Sequence, residues 1–350
     1  MFSITHSNLL KIIGIIMMLF HHLFTPGLYF ETQIFFPLNQ SIVYSLAEGF
    51  RLCINIFVFV SGYGIYKSYC KKEIKGLVDN VKFVINRIIK LLYNYWWCFL
   101  LYLILYILFV GDIQEVYGQG FQSIKYFILD VLGLSYIQIT PTINKSWWYL
   151  SFIIVITLLF PILKKAVDIS PILTLIVSIV LLRINAPFIP NYEWYFKDYY
   201  LMFIYTFIFG MIFAKYKLFD KLNDFNINKL FKVVFLFLLL AIVYYLRGFG
   251  LFERTVNTYL VIIIACIVSL FFHKENKITG LLNSVGKHTS NMYYIHYIFC
   301  TSSLYSFIAI GRNFIVMLIL LFVICLLISM FIELIKSRVI SCLRRDKNNA

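Results

Sequence analysis

Apolar residues come in long runs broken by short polar stretches, without the alternation of half-buried strands and without sustained heptads. Crossing a hydrocarbon layer as helix takes about 20 mostly apolar residues. Runs of that kind lie near residues 9–28, 52–68, 88–110, 147–163, 171–187, 196–214, 230–247, 254–272, 290–310 and 313–335. The pattern predicts an all-α polytopic membrane bundle of about ten transmembrane helices. A shorter apolar stretch, Phe121 to Ile137, carries Lys125, Asp130 and Gly133, and is expected to lie at the interface or re-enter rather than cross.

Composition agrees with lipid as the main solvent. Of 350 residues, 61% are hydrophobic and 13% charged, too apolar for a water-soluble surface. The polar segments are too short to hold a separate soluble domain, so residues 1–350 are read as one integral membrane domain. A net charge of +15 raises nucleic acid as a partner in a soluble chain; here the basic residues sit in short clusters between apolar runs, and no nucleic-acid partner is expected. Cytoplasmic loops are enriched in Lys and Arg. Placing both termini in the cytoplasm puts 23 of the 31 basic residues inside, leaving Arg51, Lys125, Lys145, Arg183, Lys197, Arg247, Arg254 and Arg312 outside. The expected location is therefore the cytoplasmic (inner) membrane, multi-pass, with both ends in.

No small-residue cleavage site follows the first apolar run, which is expected to remain as the first helix. The seven cysteines (53, 70, 98, 266, 300, 325 and 342) show no metal-ligand spacing and fall mostly inside apolar runs, so buried thiols are expected and no metal.

An ionisable residue at mid-membrane costs about 2.5–3.5 kcal/mol on insertion scales, which makes each one a candidate for chemistry. The first helix holds His21 and His22, which could serve catalysis or bond a neighbouring helix. Lys11 and His22 are eleven residues apart, about three turns with an offset near 20°, so they share one helix face roughly 16 Å apart along the axis. His21 points about 80° away and fits a packing or orienting role. The second helix carries Phe57-Val58-Phe59-Val60-Ser61-Gly62-Tyr63. Counted from the outer helix ends, Ser61 and His22 fall at similar depth, about 10–14 Å down, and could meet; a Ser-Gly pair also serves close helix packing.

Taken together these segments resemble the membrane acyltransferase-3 family, integral membrane O-acyltransferases acting on surface polysaccharides and other extracytoplasmic acceptors. The resemblance rests on Lys11, ten residues and His22; on the aromatic-rich segment ending Ser61-Gly62-Tyr63; on Arg87-Ile88-Ile89-Lys90 opening the third helix; on Trp147-Trp148-Tyr149-Leu150 before a helix expected to end at Pro161; and on Tyr293-Tyr294-Ile295-His296. Asn8 stands where the family often has Asp, and Tyr93 where it often has Pro.

The resemblance implies a catalytic His22, supported by His21 and Ser61, and a cytoplasmic acyl-CoA co-substrate, most often acetyl-CoA, with no bound cofactor. Lys11, Arg87 and Lys90 would face its phosphates, although anchoring to the inner surface also accounts for such charges. His22 could act as a general base or as a covalent acyl relay. Glu48, Arg51, Trp147 and Trp148 would face a glycan acceptor, although Trp at an interface is also an ordinary membrane belt. The alternative is an exporter or flippase of polysaccharide or lipid-linked sugar, but acidic residues near mid-membrane and paired broken helices are not evident in the sequence. A purely structural subunit would have no need of Lys11 aligned with His22.

Overall fold

The computed structural model describes residues 2–25, 35, 37–72, 74–183, 200–248, 253–272 and 276–349. Regular structure among them is helical. First come α1 (Ile4–Phe24), α2 (Gln40–Gly49), α3 (Cys53–Lys71) and α4 (Gly76–Phe109), then the short α5 (Gln114–Tyr117), α6 (Phe121–Val131) and α7 (Ser135–Gln138). α8 (Trp148–Ile169), α9 (Pro171–Arg183), α10 (Met202–Lys215), α11 (Leu218–Asp224), α12 (Lys229–Arg247) and α13 (Glu253–Ser269) follow. The remainder is α14 (Lys277–Gly286), α15 (Thr289–Ile295), α16 (Tyr297–Thr301), α17 (Tyr305–Ala309) and α18 (Phe314–Asn349).

Among the described residues six helical stretches are long and apolar enough to cross a membrane, or seven if α10 and α11, bent by 57°, count as one. α9 and α13 are apolar but shorter. Every one of the ten predicted segments contains helix, and the ends of three, at residues 26–28, 184–187 and 196–199, lie outside the described residues, as do Lys197 and Lys274. One expectation is corrected. Residues 290–310 do not form one continuous helix but three short ones, α15, α16 and α17. Ser302 adopts an extended backbone (φ −121°, ψ −179°), and the hydroxyls of Thr301 and Ser302 donate to the carbonyls of Tyr297 and Ile298 at 2.9 and 2.6 Å. Side-chain bonds of that kind compete with the helix ladder and bend it.

The chain divides into two compact units. Unit one comprises Met1–Gly14, Leu52–Arg87 and Phe152–Gly286. Its tightest contact joins α3 to α10 through two glycines. A Cβ on Gly62 would stand 2.2 Å from the Phe207 carbonyl oxygen, and one on Gly210 would stand 2.2 Å from that of Phe59. Only glycine permits backbones that close, the small-residue logic of helix association in lipid. Nearby, buried Asn55 Nδ2 donates to Thr206 Oγ1 at 2.9 Å, and Thr206 shares a 2.6 Å hydroxyl bond with Thr258 of α13. On α12, Leu230, Phe231, Val234, Phe235, Phe237 and Leu238 are exposed, as a face turned to hydrocarbon requires.

Unit two comprises Ile15–Arg51, Ile88–Ser151 and Lys287–Ala350. α6 has 11 residues, too short to cross, and leaves Phe121, Ile124, Ile128 and Leu132 exposed along one stripe at helical spacing. Its opposite side buries Asp130, which accepts from Tyr117 Oη at 2.7 Å, Ser135 Oγ at 3.0 Å and the Ile143 amide at 3.1 Å. Burial outweighs these bonds and pushes the Asp130 carboxyl up to about 6. Further along, Asn94, Asn291, Glu333 and Lys336 form a chain: Asn94 Nδ2 to Asn291 Oδ1 at 2.8 Å, Asn291 Nδ2 to Glu333 Oε1 at 2.9 Å, Lys336 Nζ to Glu333 Oε1 at 2.6 Å and Lys336 back to Asn94. It ties α4 and α15 to α18.

Candidate active site

The distal end of α1 is held by aromatic packing within unit two. The rings of Phe20 and Phe24 stand 4.8 Å apart, Phe20 lies 5.1 Å from Phe50, and both lie 6.3 Å from Phe314. These contacts set the direction of the two histidines between them in sequence. His21 is committed to α2: its Nδ1 lies 2.8 Å from the Ala47 carbonyl oxygen, and Thr25 Oγ1 approaches the same nitrogen at 3.1 Å. A carbonyl only accepts, so His21 Nδ1 carries the proton.

His22 is half-buried and faces other rings. The His296 imidazole stands 5.0 Å away, tilted by 44°, and the Tyr297 ring stands perpendicular at 5.5 Å. His21 also lies 5.0 Å from His22, so three imidazoles cluster at one point. His296 occupies the single residue between α15 and α16 and is fully buried. Its Nδ1 lies 2.8 Å from the Tyr293 carbonyl oxygen. Imidazole exchanges protons near neutral pH and can act as a nucleophile, so this cluster can carry general acid–base or covalent chemistry.

Sequence reading gave His296 no role of its own, although it closes the Tyr293-Tyr294-Ile295-His296 segment. The available signal was its setting, an ionisable ring inside an apolar run. What the sequence does not reveal is that the ring lies against His22.

The other expected site residues are distributed as follows. Ser61 sits on α3 in unit one, beside the glycine that makes the α3–α10 approach; Gly62 has a packing role. Lys11 Nζ donates to Asn8 Oδ1 at 2.9 Å, and Asn8 Nδ2 to Asn283 Oδ1 at 3.0 Å. Gly286 makes room for Asn8, since a Cβ there would lie 2.4 Å from the Asn8 Cβ. Asn8 is thus a polar partner of Lys11. The Arg87 guanidinium lies over the Phe83 ring at 5.9 Å, and Lys90, one turn further along α4, is exposed. Glu48 and Arg51 form an exposed 3.3 Å ion pair. Trp147 is 2% exposed, with the rings of Tyr95, Tyr102 and Phe99 at 5.0, 5.1 and 5.5 Å and its Nε1 donating to the Tyr294 carbonyl at 3.1 Å. Enclosed on those sides, it braces the start of α8. Trp148 is half-buried, its ring perpendicular to that of Tyr149 at 6.3 Å. Among the described residues no group of three or more His, Cys, Asp or Glu side chains could hold a metal ion.

No curated protein and no solved structure matches the chain. A family model described as an acyltransferase domain matches residues 5–334, which includes Lys11, the histidine cluster and most of both units. The chain belongs to the acyltransferase-3 family and is a membrane acyltransferase.

Proposed function

We propose that the protein moves an acyl group, acetyl in the first instance, from cytoplasmic acyl-CoA to a hydroxyl of an extracytoplasmic polysaccharide or glycolipid. The observation that carries the proposal is the His22 ring set against His296 within an apolar helical setting, on the same helix as Lys11. A thioester carried by a strongly hydrated nucleotide and a hydroxyl acceptor on opposite sides of a membrane need a proton acceptor at depth, and a neutral imidazole supplies one at lower insertion cost than a charge.

In this reading both termini face the cytoplasm of an inner membrane crossed about ten times, as the distribution of Lys and Arg favours. Lys11 at the cytoplasmic mouth of α1, with Arg87 and Lys90 on α4, attracts the phosphates of the nucleotide. His22 takes the proton of the acceptor hydroxyl as its oxygen attacks the thioester carbonyl, or receives the acyl group first. Glu48, Arg51 and Trp148 lie on the acceptor side. The test is mass analysis of surface glycans from cells with and without the gene: loss of an acyl substituent on deletion is expected, and identical glycans would overturn the reading.

A further inference from the structure

The Nδ1 atom of His296 lies 2.8 Å from the Tyr293 carbonyl oxygen, which can only accept. Nδ1 therefore carries the proton, and Nε2 of the neutral ring presents a lone pair. That Nε2 is buried and has no hydrogen-bond partner among the described residues, on a side chain with 0% exposure. A buried polar atom left in this way has lost its water without gaining a partner, which is destabilising. Such an atom beside a candidate catalytic group calls for a donor that completes it.

The nearest ring able to donate is His22, at 5.0 Å between centroids. Tyr293 and Tyr297 stand further off, at 6.3 and 6.2 Å, and the Tyr293 hydroxyl already donates to the Ser146 carbonyl at 2.5 Å. Imidazole χ2 torsions are broad, so a modest ring rotation aligns an N–H of His22 with the waiting lone pair.

We infer that His296 is a positioning residue for His22: its Nε2 accepts one His22 N–H and thereby fixes the opposite His22 nitrogen as the one that takes the substrate proton. The inference rests on the acyl-transfer reading above. As the acceptor oxygen bonds to the thioester carbonyl carbon, its proton passes to the lone pair of His22. The carbon–sulfur bond then breaks, and the same proton goes from His22 to the departing thiolate. His296 neither gains nor loses a proton over the cycle; it accepts a hydrogen bond from the imidazolium while it exists. The same tautomer presents the nucleophilic nitrogen if His22 carries the acyl group itself. A ring held by the Tyr293 carbonyl thus does for His22 what a carboxylate does for the histidine of other catalytic sites.

Two variants separate this role from packing. His296→Asn keeps an amide donor near the Nδ1 position and has no acceptor at Nε2, whereas His296→Gln places its carbonyl oxygen near Nε2. Membranes carrying equal amounts of each protein are given labelled acetyl-CoA, and transfer to envelope glycan is followed against donor concentration. His296→Asn is expected to lower kcat about 100-fold with KM for acetyl-CoA unchanged, and His296→Gln to retain at least about a tenth of wild-type kcat. Wild-type kcat in His296→Asn, equal losses in both variants, a loss in KM alone, or failure of His296→Asn to accumulate would each overturn the inference. If His22→Ala membranes label glycan as wild type does, the acyl-transfer reading itself fails; an inactive His22→Ala beside a normal His296→Asn removes only the role of His296.

Discussion

Unit one and unit two both bury polar groups between apolar helices, but with opposite outcomes. Between α3, α10 and α13 the Asn55 amide meets Thr206, and Thr206 meets Thr258, next to two glycines that bring the backbones together. Around His22 the imidazoles of His21 and His296 spend one nitrogen each on a carbonyl, and His296 leaves its other nitrogen without a partner among the described residues. Polar groups in lipid that satisfy one another contribute fold. A buried nitrogen that stays open beside a half-buried imidazole is the feature on which the proposed catalytic role of this cluster rests.

The comparison breaks most visibly at His22. His22→Ala is expected to reduce acyl transfer by at least 10²–10⁴-fold, the usual worth of a positioned proton-transfer group, whereas His21→Ala retains a measurable fraction because His21 serves α2. Acylation of envelope glycans is measured by mass spectrometry at matched protein level. Normal acylation by His22→Ala would refute the mechanism, and an inactive His21→Ala beside an active His22→Ala would exchange the two roles.

On the other side of the comparison, Gly210→Val drives a side chain into the α3 backbone. It is expected to destabilise the protein by about 3 kcal/mol, at the upper end of overpacking costs, and to lower its amount in the membrane. Normal accumulation and unchanged thermal stability in detergent would refute the close approach of α3 and α10.

Asp130 lies between these extremes, buried and hydrogen-bonded yet unfavourable as an anion. Its carboxyl is raised to about 6 by burial, above the unfolded value of about 3.8, so the folded state binds the extra proton between those values. Stability is then greatest at the acid end and declines as pH rises from about 3.8 through about 6, by an amount on the order of 3 kcal/mol in all. Limited proteolysis of the 111–146 region from pH 5 to 8 reads this, and a protection profile that improves with rising pH would contradict it.

Neutralising Arg87 and Lys90 together should raise KM for acyl-CoA about tenfold with kcat and membrane insertion little changed, since a lost charge-assisted contact is worth roughly 1.5 kcal/mol. An unchanged KM would assign both to anchoring. The smallest effect is expected at the threonine pair, where Thr258→Val should cost about 0.6 kcal/mol, the average for interhelical hydrogen bonds in lipid, and leave transfer unaffected. A loss of activity there would erase the distinction between the two regions.

Much of this was legible along the chain. Apolar runs about 20 residues long identify membrane helices because lipid forces each backbone segment to satisfy itself locally, and helical periodicity places Lys11 and His22 on one face without any tertiary information. The order of the motifs also reveals the family, which the match over residues 5–334 shows. Other features depend on partners distant in sequence. Gly62 reads equally as part of a site or as a contact until the Phe207 carbonyl appears 2.2 Å from its absent Cβ. The break between α16 and α17 within 290–310 follows from the backbone at Ser302, and Trp147 becomes a brace because Tyr95, Tyr102 and Phe99 enclose it. The His22–His296 contact belongs to the same class. Periodicity is a property of neighbours along one helix, whereas the choice of which imidazole meets which is made by packing between the first helix and a broken helix near the other end of the chain.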